Sequence, residues 1–216
     1  MLIKTTIQRS HIIAACIVAP DSDIRYYLNG VLVEVNQDCT FVAATDGSRL
    51  AAFRNDADGD CILPDGRPVE FIVPRSLALK VKPHKHLDIV WVEYDTESTM
   101  VTINDCGARS SENAIEGKFP DFRRVLPRQS DGVAQQIDPK LYASFGKIAQ
   151  ALGTKGSDAM HVWHDKSGAC TVTVGGHPEF IGVCMALRDS DADSRTFPSM
   201  ERFQRPEVKQ HETIAA

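Results

Sequence analysis

Apolar side chains along this chain follow two periods. Runs such as residues 87–94 (LDIVWVEY) and 169–174 (ACTVTV) predict strands, whereas Leu141, Phe145, Ile148, Ala149 and Leu152 form a stripe at helical spacing. Three stretches repeat one order of signals: a short apolar strand, a helix-like segment, then three strand-like runs parted by polar or glycine-containing turns. They extend from Leu2 to about Arg54, from Val69 to about Ile115 and from Val133 to about Leu187. One supersecondary unit recurring over such a period predicts tandem βαβββ repeats.

In the second repeat, residues 71–74 (FIVP) give the strand and residues 75–82 (RSLALKVK) the short helix. The runs at 87–94, 100–104 and 108–115 give the three strands, with DTES and NDCG as turns. In the third, residues 135–137 form the first strand and Asp138-Pro139 an N-cap and first-turn pair. Gly153 ends the helix, and turns at Lys166–Gly168 and Gly175–Pro178 separate the strands. Past Arg188 the chain is polar and aperiodic, so residues 189–216 are expected to be a disordered tail.

With 216 residues, 43% of them hydrophobic, the chain can bury a core in one or two domains. It contains no run of ~20 apolar residues, and its start lacks the apolar core of a signal peptide, so a cytoplasmic protein with no membrane contact is expected. The six cysteines are scattered without a CxxC pair, which predicts reduced and mostly buried thiols.

The net charge of −5 does not announce a nucleic-acid binder, but its distribution is uneven. The helical windows 6–19, 75–86 and 138–155 hold Arg9, Arg75, Lys80, Lys82, Lys85, Lys140, Lys147 and Lys155 against one acid, Asp138. Bases gathered on one helical surface could meet regularly spaced phosphates without reading sequence. The same lysines could equally be solubilising residues on exposed helix faces.

Two motifs in the first repeat and one after the second add specificity: RYYLNG at 25–30, ATDGSRLA at 44–51 and GKFPDFRRVLP at 117–127. Their order and spacing resemble those of the bacterial DNA polymerase III β subunit, the β sliding clamp family, which carries RYYLNG, ATDGHRLA and G-[KR]-FPDYRRVLP. The resemblance covers residues 1–127 as a complete clamp domain of two units, about 1–60 and 69–127. More weakly, it covers 133–188 as half of the family's C-terminal domain. It implies an α+β clamp fold of three βαβββ repeats, with antiparallel sheets outside and basic helices on the DNA-facing side.

The resemblance also implies a function: a DNA sliding clamp, or polymerase processivity factor, that binds duplex DNA non-specifically and holds replication proteins against it. Carried over residue by residue, a partner-peptide pocket would use Leu28, Thr45, Gly47, Ser48, Arg49, Leu50, Pro127, Val183 and Met185. Ser48 replaces the family's usual histidine. DNA contacts would come from Arg25, Tyr26 and Tyr27 and from the helical bases Arg9, Arg75, Lys80, Lys82, Lys85, Lys140 and Lys147. Tyr27 could also be core, because neighbouring strand residues face opposite sides. The FPDFRRVLP stretch reads as architectural, pinning an interdomain connection with buried rings.

The chain has neither a GxSxG nor a Walker loop, and its closest approaches to metal spacing are His84 with His86 and His161 with His164. Neither pair has a supporting cluster, so no catalysis, metal or cofactor is expected. Family rings contain twelve units. Three per chain therefore implies a homo-oligomer, a tetramer if such a ring closes, with polymerase and clamp-loader or repair proteins as partners. The alternative is a clamp-derived interaction protein that binds replication peptides without encircling DNA.

Overall fold

A computed structural model describes residues 1–37, 39–56, 63, 67–126, 137–153, 160–164 and 168–187. Residues 135 and 136 of the expected first strand of the third repeat, Pro127, Lys155 and the tail lie outside the described residues, and Ile137 is not in a strand. The first repeat comprises β1 (Leu2–Gln8), α1 (Arg9–Val18), β2 (Gly30–Val35), β3 (Cys39–Thr45) and β4 (Arg49–Asp56). The second comprises β5 (Val69–Pro74), α2 (Arg75–Ala78), β6 (Ile89–Asp95), β7 (Met100–Asp105) and β8 (Ala108–Asn113). The third supplies α3 (Pro139–Ala151), β9 (Met160–His164), β10 (Ala169–Val174) and β11 (His177–Met185).

The first two repeats exchange their leading strands. β1 pairs with β6, and β5 pairs with β2, so each sheet contains a strand from the other repeat. The result is a four-stranded sheet in the order β1-β6-β7-β8 and a seven-stranded sheet in the order β5-β2-β3-β4-β11-β10-β9. Alternation fixes which faces meet: Ile3, Ile7, Val90, Val92, Val101 and Ile103 turn inward from the smaller sheet onto one apolar core.

The third repeat joins the first by continuing its sheet. β11 lies antiparallel to β4 over five positions, from Phe180 opposite Phe53 to Cys184 opposite Arg49. Gly182 makes this possible, because a Cβ there would come within 2.5 Å of the buried Phe145 ring of α3. The expected cap on α3 is present, with the Asp138 carboxylate accepting from the Lys140 N–H at 2.8 Å. Pro178 falls in the part of β11 before its pairing with β4 begins, so the missing N–H costs no bond on that side.

α1 packs against both α2 and α3, and its Ala14 and Ala15, fully buried, let neighbouring backbones approach closely. Two helical windows need correction. The 75–86 window is helical only over Arg75–Ala78, since Pro83 lacks an N–H and its ring would clash with the carbonyl four residues earlier. The first helix starts at Arg9, because β1 runs directly into it and Gln8 is still extended. No helix among the described residues is long and apolar enough to cross a membrane.

Candidate peptide groove and basic surface

The turn between β3 and β4 is held by its own side chains. The Asp46 carboxylate accepts from the Ser48 and Arg49 backbone N–H groups at 2.9 and 3.0 Å and from Arg49 Nε at 2.8 Å. Thr45 Oγ1 donates to the Arg49 carbonyl at 2.8 Å and accepts from the Gly47 N–H at 3.1 Å. Gly47 is required by its φ of +88°, and a Cβ there would displace the Arg25 guanidinium, 2.6 Å away. That guanidinium donates to the Asp46 carbonyl and to the Asp23 carboxylate, which Arg25 holds down at about 2.

β11 brings the third repeat against this turn. Val183 lies opposite Leu50, and the Met185 N–H donates to the Ser48 carbonyl at 2.9 Å, leaving the Met185 side chain 38% exposed. A cavity of about 240 Å³ opens here, lined by Arg25, Tyr27, Leu28, Thr45, Gly47, Leu50, Pro120, Asp121, Phe122 and Val125. A shallower recess of about 50 Å³ shares Thr45, Gly47, Leu50 and Val125 with it and adds Ser48, Arg49, Val183 and Met185. The two form one groove with apolar walls and a polar turn along one side, a shape suited to an extended peptide.

Every described residue of the pocket expected from the sequence, from Leu28 to Met185, therefore lines one surface, and Pro127 is outside the described residues. The structure adds residues that the motifs place elsewhere. Arg25 and Tyr27, expected at DNA, line the cavity, and Tyr26 beside them is 57% exposed. The FPDF segment, expected to be architectural, also contributes a wall. Phe119 and Phe122 are buried beneath it, and Asp121 caps the short 3-10 turn Phe122–Val125 by accepting from the Arg123 N–H. Its chemical signal is present in the sequence, as rings beside prolines, but nothing in the sequence says which cavity the outer face borders.

The basic residues divide into two groups. Arg9 is a correction: it is 3% exposed, and its guanidinium donates to Asp105 at 2.7 and 2.8 Å and to the Lys82 and Leu87 carbonyls. Its place at the β1–α1 joint turns it inward, where a buried charge needs full pairing. Arg75 is half-buried, bonds the Ala19 carbonyl and pairs with Asp21, while Lys80 pairs with Glu112 at 3.1 Å. Lys82, Lys85, Lys140 and Lys147 are exposed, the first two beyond α2 and the others on α3.

Four of the five described cysteines are buried, and burial pushes the Cys16 and Cys184 thiols up to about 11, while Cys106 is exposed in the β7–β8 turn. Among the described residues, no three His, Cys, Asp or Glu side chains converge as metal ligands would.

Residues 3–121, more than half of the chain, match the family described as DNA polymerase III beta subunit, central domain. The β sliding clamp of Pseudomonas aeruginosa is 33% identical over 132 residues, covering 59% of this chain and 34% of that protein. The β sliding clamp of Escherichia coli is 33% identical over 116 residues, covering 50% and 28%. The chain thus matches about a third of the length of these relatives. Among solved structures, the P. aeruginosa DNA polymerase III subunit beta superposes with a TM-score of 0.65 at 21% identity, over 86% of this chain and 66% of that one. The Bacillus subtilis sliding clamp gives the same TM-score at 13% identity, over 86% and 64%. Sequence motifs, exchanged βαβββ repeats and these matches lead to one assignment: the chain belongs to the DNA polymerase III β subunit family and carries its central domain.

Proposed function

We propose that this chain is a sliding clamp, a processivity factor that tethers polymerase and other replication proteins to duplex DNA through the groove at the β4–β11 seam. The observation that carries this reading is the joint wall: β11 brings Val183 and Met185 beside the Thr45–Leu50 turn, the turn that bears the family motif. The groove takes an extended peptide, with Leu28, Leu50, Val183 and Met185 receiving apolar side chains and Thr45 and Arg49 offering polar contacts. DNA is held by exposed lysines, Lys82, Lys85, Lys140 and Lys147, through counterion release. Four copies supply the twelve repeats of a family-sized ring, with third repeats pairing between neighbours.

The test is fluorescence anisotropy with a labelled clamp-binding peptide from a replicative polymerase. Leu28→Ala with Met185→Ala is expected to abolish binding while far-UV circular dichroism stays unchanged; unchanged affinity would remove the groove from the account. A second reading, an interaction protein that takes the same peptides without encircling DNA, is favoured by one observation: Arg9, Arg75 and Lys80 spend their charge inside the chain. Retention on circular but not on short linear duplex separates the two.

A further inference from the structure

The β4–β11 seam joins the last strands of two repeats, edge to edge and antiparallel. The last strand of the remaining repeat is β8, and it forms an outer edge of the four-stranded sheet with no strand beyond it among the described residues. We propose that β8 is a homotypic interface: it pairs antiparallel with β8 of a second copy of this chain, about a two-fold axis through Ser111.

The register follows from the hairpin. β7 and β8 are joined by the two-residue turn Cys106-Gly107, whose φ values of 53° and 86° are both positive, as in a type I′ turn. Asp105 and Ala108 flank that turn as a hydrogen-bonded pair, so Ala108, Ser110 and Glu112 direct their backbone groups to β7. Arg109, Ser111 and Asn113 then present their N–H and C=O groups to the open edge. A two-fold axis normal to the sheet keeps inner face with inner face only when residues of like parity oppose each other. With Ser111 opposite its own counterpart, Arg109 falls opposite Asn113, and every outward group of the strand finds a partner.

Edges meant to stay unpaired usually carry a proline, a bulge or charges that project across them. β8 has no proline, and its pairing with β7 is regular along its length. Its charges are folded back onto the chain: Arg109 reaches Glu93 at 3.0 Å, while Glu112 takes Ser76 at 2.5 Å and Lys80 at 3.1 Å. One apolar side chain lies beside the strand: Met100, 36% exposed at the start of β7 and opposite Asn113. Such an edge is polar in composition yet unobstructed.

This proposal deepens the oligomeric reading above and is independent of the groove. Its test is the mass of the full chain by light scattering at micromolar concentration, with Ser111→Pro as the variant. Proline is tolerated at an edge position whose N–H faces outward, so the fold is retained while the pairing loses its central bonds. The variant is expected to have half the mass of the native chain. A native monomer, or an unchanged mass in the variant, would overturn the proposal. Residues opposed in a hydrogen-bonded pair have Cα atoms ~5.5 Å apart, within the span of a short bis-maleimide. Ser111→Cys in a Cys106→Ser background should therefore be captured as a dimer by that reagent, whereas Ser98→Cys in the same background should not; absence of the residue-111 cross-link would also overturn it. Native peptide affinity in Ser111→Pro separates failure here from failure of the groove.

Discussion

Arg123 clamps Glu34 with two bonds of 2.9 Å while its guanidinium lies 4.7 Å above the Phe41 ring and 4.5 Å above the Phe122 ring. The arrangement ties the segment after β8 back onto β2, and Phe122 is part of the groove wall. Because Glu34 is buried, removing Arg123 leaves its carboxylate without a counter-charge, held by the Asn36 side-chain amide at 3.0 Å. Arg123→Ala is expected to cost about 1–3 kcal/mol, and Arg123→Lys to recover only part of it, since an ammonium cannot make the planar two-bond contact. Urea unfolding of the three proteins checks this.

Arg9 makes a contrasting prediction within the same class of residue. Arg9→Ala takes the guanidinium away from Asp105 and from the Lys82 and Leu87 carbonyls and is expected to destabilise by about 2–4 kcal/mol. DNA affinity measured well below the melting temperature should change little. A large loss of DNA binding with native stability would place Arg9 on the DNA-facing surface after all.

For the exposed lysines the expectation is reversed. Changing Lys82, Lys85, Lys140 and Lys147 to Glu should leave unfolding within about 0.5 kcal/mol of native at each site. The slope of log affinity against log salt should flatten by about 0.9 for each phosphate that is no longer neutralised. Titrations of duplex binding across salt concentrations measure it.

Gly47→Ala tests the turn. A left-handed backbone with the Arg25 guanidinium 2.6 Å from the new methyl should cost about 1–3 kcal/mol and shift Arg25, which lines the groove. Both the melting temperature and peptide affinity are expected to fall. A change in stability alone would mean that the turn does not shape the binding surface.

His11 gives a pH dependence. It is fully buried on α1, stacked on Phe53, with Nδ1 2.9 Å from Asn55 Oδ1 and Nε2 3.8 Å from Glu179, which also bonds His177. Burial lowers its pKa from 6.5, outweighing Asn55 and the pull of Glu179 and Asp88. The unfolded chain takes up a proton near 6.5 that the folded chain refuses, so this contribution is complete above that pH and is lost as pH falls toward the folded value. The denaturation midpoint should drop on going from about pH 7.5 to about 5.5, and His11→Gln should flatten that drop.

Local chemistry makes much of this legible in the sequence. The Asp138 cap, the alternation of β6 and β10 and the glycine turns are all readable, and the motif at 44–51 locates the turn that forms the groove. Relationships between distant segments are not. Nothing local distinguishes Arg9, which faces Asp105 across two repeats, from Lys147, which faces water. The exchange of β1 and β5 is likewise invisible to periodicity, because pairing partners are chosen by the whole sheet. The family resemblance points Arg25 and Tyr27 toward DNA; only the packing of residues 120–125 against the Thr45–Leu50 turn reveals which cavity they border.

The seam has a consequence during synthesis. Leu50 and Val183 sit side by side in one recess although most of the chain separates them. A ribosome-bound chain that has not yet emitted β11 already carries every residue of the larger cavity but lacks Val183 and Met185 in the shallower one. On the proposed function, a replication protein that needs both recesses would bind a nascent or truncated chain more weakly than the finished one.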